Sequence, residues 1–188
     1  MHSTRALGLL TLTLALTSGC KKPTPAQFRP TVEAAPAAAR TGLIREGELA
    51  PTFAVTAHNG ARIESHGPRA RPLVLYFYPR DETPGCTIEA HGFRDSAADF
   101  AAAGADVAGV STDNTSSHSA FAAGHQLGFA LVSDPDATLA AAFGVRVRMG
   151  FAQRVTFVID RSGHVRRVFE SVTPEGHATE VLAAVRAL

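Results

Sequence analysis

Leu73-Val74-Leu75-Tyr76-Phe77-Tyr78-Pro79-Arg80-Asp81-Glu82-Thr83-Pro84-Gly85-Cys86-Thr87 is the stretch that decides the fold. Its first six residues are apolar and β-prone without alternation, the mark of a strand covered on both faces. The strand ends at Pro79. Beyond a polar loop, Cys86 opens a segment with helical spacing, in which Phe93, Ala97 and Phe100 share one face and Gly104 suits a stop. A thiol at a strand-to-helix junction stands where α/β folds usually do their chemistry.

Outward from this unit the pattern repeats. Upstream, Pro51 to Thr56 alternates like a half-buried strand, Asn59-Gly60 signals a hairpin, Ala61 to Ile63 is the return strand, and Ser65 to Arg71 is a loop. Downstream of the helix Cys86 to Ala103, where Gly92 marks a kink, a strand is expected over Asp106 to Ser111 and a helix over Ser116 to Gln126. Phe129 to Val132 is a short strand. Ser133-Asp134-Pro135-Asp136 caps a helix that carries Leu139 and Phe143 and stops at Gly144. Val155 to Asp160 and Val165 to Phe169 form a hairpin around Arg161-Ser162-Gly163, and a last helix begins near Pro174. Strands alternating with helices, then a hairpin and a helix, predict an α/β domain of thioredoxin-like type, with a central mixed β-sheet flanked by helices.

The bulk numbers set limits. A chain of 188 residues, 45% hydrophobic, is long enough for one domain with a real core. With 18 basic and 17 acidic residues the formal charge is +1, so no nucleic-acid partner is indicated. The chain has 2 cysteines, Cys20 and Cys86, too few for a disulfide scaffold or a thiolate-rich zinc site. A lone thiol in the domain is either an inert buried side chain or a reactive one.

The first 42 residues read differently. Met1 to Arg5 is weakly basic and Ala6 to Leu16 is an apolar run, too short to span a bilayer as a helix but right for an export signal. The run closes on Leu16-Thr17-Ser18-Gly19-Cys20, which resembles the lipobox of bacterial lipoproteins, although Thr17 stands where that pattern prefers leucine. That resemblance implies a signal over residues 1–19 and lipidation at Cys20. Residues 20–42 are rich in proline and alanine, without the bulk to build a core, and read as a tether. The folded domain is expected over 43–188. The protein should therefore be exported and held on a membrane, facing the periplasm.

Chemistry at Cys86 needs the anion, because an unperturbed thiol has a pKa of about 8.5 and is only a few per cent thiolate at neutral pH. Placement in the first turn of a helix helps, since free N–H groups and the positive end of the dipole face the sulfur. Thr83 offers a hydroxyl three residues earlier, and Pro79 and Pro84 stiffen the loop.

Pro79-x-x-x-Thr83-x-x-Cys86 matches the active-site motif of the peroxiredoxins, and Leu75 to Pro79 with Thr83 to Thr87 resembles their PrxQ, or bacterioferritin comigratory, branch. Further similar blocks occur in order, from Glu48-Leu49-Ala50-Pro51-Thr52-Phe53 through Ala108 to Asp113 and Leu131 to Asp136 to Phe143-Gly144-Val145. The resemblance implies a thiol peroxidase for hydrogen peroxide and organic hydroperoxides, without a metal or cofactor. Cys86 would be the peroxidatic thiol, Thr83 would orient the peroxide and Pro79 would close the pocket. Arg154 would stabilise the thiolate and bind the peroxide oxygens, with Arg146 and Arg148 as rivals from a predicted loop, and Glu89 would order the arginine.

The chain departs from the branch at one place. Many relatives place a resolving cysteine five residues after the peroxidatic one, and here that residue is His91. A cycle that uses only Cys86 therefore needs an external thiol, such as thioredoxin, glutaredoxin or a small thiol, unless Cys20 escapes lipidation and folds back. A catalytic His91 is disfavoured, since an offset of five leaves the helical face of Cys86. His58, His66, His118, His125, His164 and His177 show no ligand spacing and are expected at the surface. Three other readings compete: a copper-binding lipoprotein of the same fold, which would want a cysteine pair and a histidine; a disulfide reductase, which would want C-x-x-C where Thr83 stands; and a non-catalytic interaction module.

Overall fold

The computed structural model describes residues 40–65 and 70–188. The expected signal, Cys20, nearly all of the tether and His66 lie outside the described residues. An entry hairpin, β1 (Ala54–Thr56) and β2 (Arg62–Glu64), turns at Asn59-Gly60. There Asn59 Oδ1 accepts the Ala61 N–H at 3.1 Å, and Gly60 takes φ +82°. The chain then runs through β3 (Leu73–Phe77), α1 (Pro84–Asp95), α2 (Ala97–Ala102), β4 (Asp106–Ser111), α3 (Thr115–His125), β5 (Ala130–Ser133) and α4 (Thr138–Phe143). A small hairpin of β6 (Val147–Arg148) and β7 (Phe151–Ala152) precedes β8 (Val155–Ile159), β9 (Val165–Phe169) and α5 (His177–Arg186).

The main sheet has the order β5-β4-β3-β8-β9. β3, β4 and β5 are parallel, while β8 and β9 are antiparallel to their neighbours, so the sheet is mixed as expected. Central β3 is buried along its whole length. Leu73, Leu75 and Phe77 pack with Phe157, with Leu139 and Phe143 of α4, and with the entry hairpin. Val74, Tyr76 and Tyr78 pack on the other face with Phe93, Phe100, Phe121 and Val181 from α1, α2, α3 and α5. Both faces are covered, one by α4 and the entry hairpin and the other by four helices, which is why this strand is uniformly apolar.

Several expectations need correction. The helix Cys86 to Ala103 is two helices, broken at Ser96, whose N–H reaches the Gly92 carbonyl at 3.1 Å. Gly92 itself is not the break. It lies against α5, where an added Cβ would sit 3.4 Å from Ala178 Cβ, so its missing side chain serves close helix packing. The predicted loop that holds Arg146 and Arg148 contains β6 and β7, joined by Met149 (φ 53°) and Gly150 (φ 81°), consecutive left-handed residues of the kind that close tight hairpins. Asp134 does cap α4, but from four residues before its first turn, accepting N–H bonds from Leu139 (3.0 Å) and Ala140 (2.8 Å). His118 and His177, expected at the surface, are buried.

Candidate active site

The site is assembled by the register of the sheet. β8 pairs antiparallel with β3, with Val155 opposite Phe77. The residue before Val155 is therefore delivered to the end of β3 where the loop Tyr78 to Thr83 begins. That residue is Arg154. Pro84 is the first residue of α1, tolerated because its missing N–H would have no intrahelical partner, and Cys86 lies in the first turn. Thr87 N–H bonds the Thr83 carbonyl at 2.9 Å, while the N–H groups of Gly85 and Cys86 precede any acceptor within the helix. Glu89 follows Cys86 by three residues, on the same face of α1.

Arg154 Nη2 donates to Cys86 Sγ at 3.2 Å, and Nη1 donates to Glu89 Oε2. One guanidinium thus bridges the thiol and a buried carboxylate. Cys86 is 2% exposed and Glu89 1%. Gly85 faces the same place: a Cβ there would stand 3.5 Å from Arg154 Nη2 and from Pro174 Cγ, so Pro174, before α5, forms one wall. Thr83 Oγ1 donates to the Arg80 carbonyl at 3.0 Å, which commits its proton to the loop and leaves its lone pairs as acceptors. Pro79 is half-buried two residues beyond the end of β3. Arg146 and Arg148 are exposed beside the small hairpin, and the guanidinium bonded to the sulfur is that of Arg154.

Burial sets the charges behind the thiol. It pushes Glu89 up to about 7 against the opposing pull of Arg154. It also holds His177 down at about 4, with Arg154 acting in the same direction, so this imidazole is neutral. His177 Nε2 lies 2.8 Å from Thr156 Oγ1 and 3.8 Å from Glu89 Oε1. Burial alone would lower Arg154, but the charges of Glu89 and Cys86 more than reverse that. Tyr76 stacks on Phe93 at 4.6 Å between centroids and forms part of the apolar floor around Cys86. Its hydroxyl is raised well above its ordinary range by burial first, then by Glu89 and Cys86. Sequence reasoning missed His177 and Pro174, which belong to no local motif and reach the site only through the packing of the C-terminal segment.

His91 does not face the thiol. Its Nε2 is 3.0 Å from Nδ1 of His125 on α3. Among the described residues no group of three or more His, Cys, Asp and Glu side chains could hold a metal, and no helix is long and apolar enough to cross a membrane. What the arrangement offers is an almost wholly buried sulfur with a cation and free backbone donors beside it. Such a site stabilises a thiolate and the negative charge that develops on oxygen when a peroxide bond breaks.

Comparison with known proteins agrees with this chemistry. Residues 47–168 match the model of the AhpC/TSA family. A putative peroxiredoxin bcp of Coxiella burnetii is 38% identical over 146 residues, covering 74% of this chain and 97% of that protein. The crystal structure of peroxidoxin BcpB from Mycobacterium tuberculosis aligns with a TM-score of 0.71 at 36% identity, over 77% of this chain and 98% of the other. The bacterioferritin comigratory protein of Xanthomonas campestris, whose structures were described for alkyl peroxide reduction, aligns with a TM-score of 0.67 at 35% identity, over 72% of this chain and 90% of that one.

Proposed function

The chain belongs to the AhpC/TSA family, on its peroxiredoxin Q and bacterioferritin comigratory branch, and from that premise we propose how this thiol-dependent peroxidase completes its cycle. The Cys86 thiolate attacks one peroxide oxygen. An S–O bond forms, the O–O bond breaks, and the departing oxygen leaves with a proton as water or an alcohol. Arg154, bonded to the sulfur, stabilises negative charge there and then on the leaving oxygen, helped by the N–H groups that open α1. Thr83, its own proton bonded to Arg80, accepts the peroxide O–H. Glu89 orients Arg154 and keeps its second Nη away from the sulfur. The alkyl peroxide reduction described for the Xanthomonas protein supports organic hydroperoxides as substrates beside hydrogen peroxide.

The sulfenic acid is then resolved from outside. Cys86 is the free cysteine among the described residues, and His91 occupies the place of a resolving thiol. An external thiol attacks the sulfenic sulfur, releasing water and forming a mixed disulfide. A second thiol releases Cys86 and leaves the reductant as a disulfide. Thioredoxin, glutaredoxin or a small thiol can each supply these two equivalents. The apolar run and Cys20 support an exported protein anchored through a lipid at Cys20 and facing the periplasm, with residues 20–42 as its tether. Acyl chains there contribute about 0.8 kcal/mol per buried methylene, enough in combination for stable anchoring.

The bond from Arg154 Nη2 to Cys86 Sγ carries the peroxidase reading. Cys86→Ser should abolish peroxide consumption with any thiol donor, and Arg154→Ala should slow oxidation of Cys86 by at least 10²-fold, on the order found when an electrostatic donor is removed. Wild-type turnover by Cys86→Ser would overturn the reading.

A further inference from the structure

Helix α3 grips the peroxidatic loop at two consecutive carboxylates. His118 and His125 are seven residues apart, about two turns of helix, so both project from one face. His118 is fully buried; its Nδ1 is 2.9 Å from Asp81 Oδ2, and its Nε2 is 3.2 Å from the Val132 carbonyl of β5. His125 Nε2 is 3.0 Å from Glu82 Oε2. Asp81 and Glu82 are the two residues immediately before Thr83.

Each grip is held from behind. Asp81 also accepts the Tyr78 hydroxyl at 2.7 Å and the Ser117 hydroxyl at 2.7 Å, and its N–H donates to Asp113 Oδ2 at 2.8 Å. Burial alone would raise the Asp81 carboxyl, but the bonds from His118, Tyr78 and Ser117 bring it below its ordinary value, so it is ionised where the pair forms. On the surface side, His91 of α1 meets His125 Nδ1 at 3.0 Å, Arg94 Nη1 bonds the His125 carbonyl at 3.0 Å, and the Phe121 ring lies edge-on at 4.9 Å. The backbone records the constraint. Glu82, the second of the two gripped residues, takes φ +59°, a left-handed conformation uncommon for a residue with a Cβ, directly before Thr83.

We propose that His118 and His125 are positioning residues for peroxide reduction, clamping Asp81 and Glu82 so that Thr83 and the first turn of α1 stay preorganised around Cys86. His91, in this scheme, is the outer end of the clamp, which gives a use to the residue that replaces a resolving thiol. The proposal rests on Cys86 being the peroxidatic thiol. Preorganisation matters here because moving a donor slightly away from the developing charge slows the reaction far more than the strength of one hydrogen bond suggests.

The test is a double-mutant cycle on the less buried pair, with the denaturation midpoint of each variant measured alongside to separate a loss of folding from a loss of positioning. Glu82→Gln, His125→Ala and the double variant are compared by the second-order rate of Cys86 oxidation with hydrogen peroxide and by the pH profile of Cys86 alkylation with iodoacetamide. Each single variant should slow oxidation by roughly three- to tenfold and move the alkylation profile. The double variant should be no slower than either single one, because they remove the same hydrogen bond. His118→Gln, which keeps a donor toward Asp81, should retain more activity than His118→Ala. Single variants at the wild-type rate, or effects that simply multiply in the double variant, would overturn the clamp. Should the wild-type protein consume no peroxide at all, the reading of Cys86 fails, while the alkylation profiles still decide whether the loop is clamped.

Discussion

Glu89 and His177 sit side by side behind the thiol with displaced protonation in opposite senses, which ties the residue scale to the stability of the whole protein. Glu89 is raised from 4.5 to about 7, so the native state takes its proton well before the unfolded chain does. Its contribution is full below about pH 4.5 and is lost as pH rises through 7. His177 is lowered from 6.5 to about 4, so the unfolded chain protonates first. Its contribution is full above about pH 6.5 and is lost as pH falls toward 4. Each displacement is worth on the order of 3 kcal/mol, and between roughly pH 4.5 and 6.5 the two trends nearly cancel. Urea denaturation of Glu89→Gln as a function of pH should therefore show stability falling below pH 6.5. His177→Gln should show the reverse, stability rising as pH drops from 7. Wild-type pH profiles in both variants would contradict this assignment. None of it was legible in the sequence beyond a glutamate at a family position, since the histidine approaches from α5 and carries no local signal.

At the scale of elements, packing between β3 and β4 supports the floor of the site. Gly109 of β4 lies opposite Tyr76, and a Cβ on it would come within 2.7 Å of the Tyr76 ring and hydroxyl and 2.9 Å of Leu131 Cδ2. Gly109→Ala must displace Tyr76 from its stack on Phe93, at a cost of about 1–3 kcal/mol in stability. A lowered denaturation midpoint together with slower oxidation of Cys86 is expected; unchanged values of both would show that the floor yields freely. The elements themselves were largely readable. The unbroken apolar run of β3, the Asn59-Gly60 turn and the Gly144 stop each encode their structure within a few residues. The break at Ser96 was not readable, because helical periodicity continues across it and only tertiary packing of α2 redirects the chain. Nor was the β6–β7 hairpin, whose strands of two residues are too short to establish a period.

For the molecule as a whole, the sheet order decides everything that the sequence could only suggest. Strand adjacency joins segments far apart in the chain, and Arg154 meets Cys86 only because β8 inserts beside β3. The resemblance to the peroxiredoxins pointed to that arginine; the antiparallel register explains it. The anchoring proposal is tested at this scale too. Expressed from its first residue in a Gram-negative host, the protein should enter the membrane fraction with a lipid-modified Cys20, and Cys20→Ser should release it. A wild-type chain recovered without lipid from the soluble fraction would count against the anchor. The central claim is that Cys86 works without a second thiol of its own chain, and intact-mass measurement of the mature protein after one equivalent of hydrogen peroxide tests it most directly. The account predicts a gain of one oxygen at Cys86, reversed by added thioredoxin or a small thiol, with no internal bridge. Loss of two hydrogens with a peptide linking Cys20 to Cys86 would contradict it.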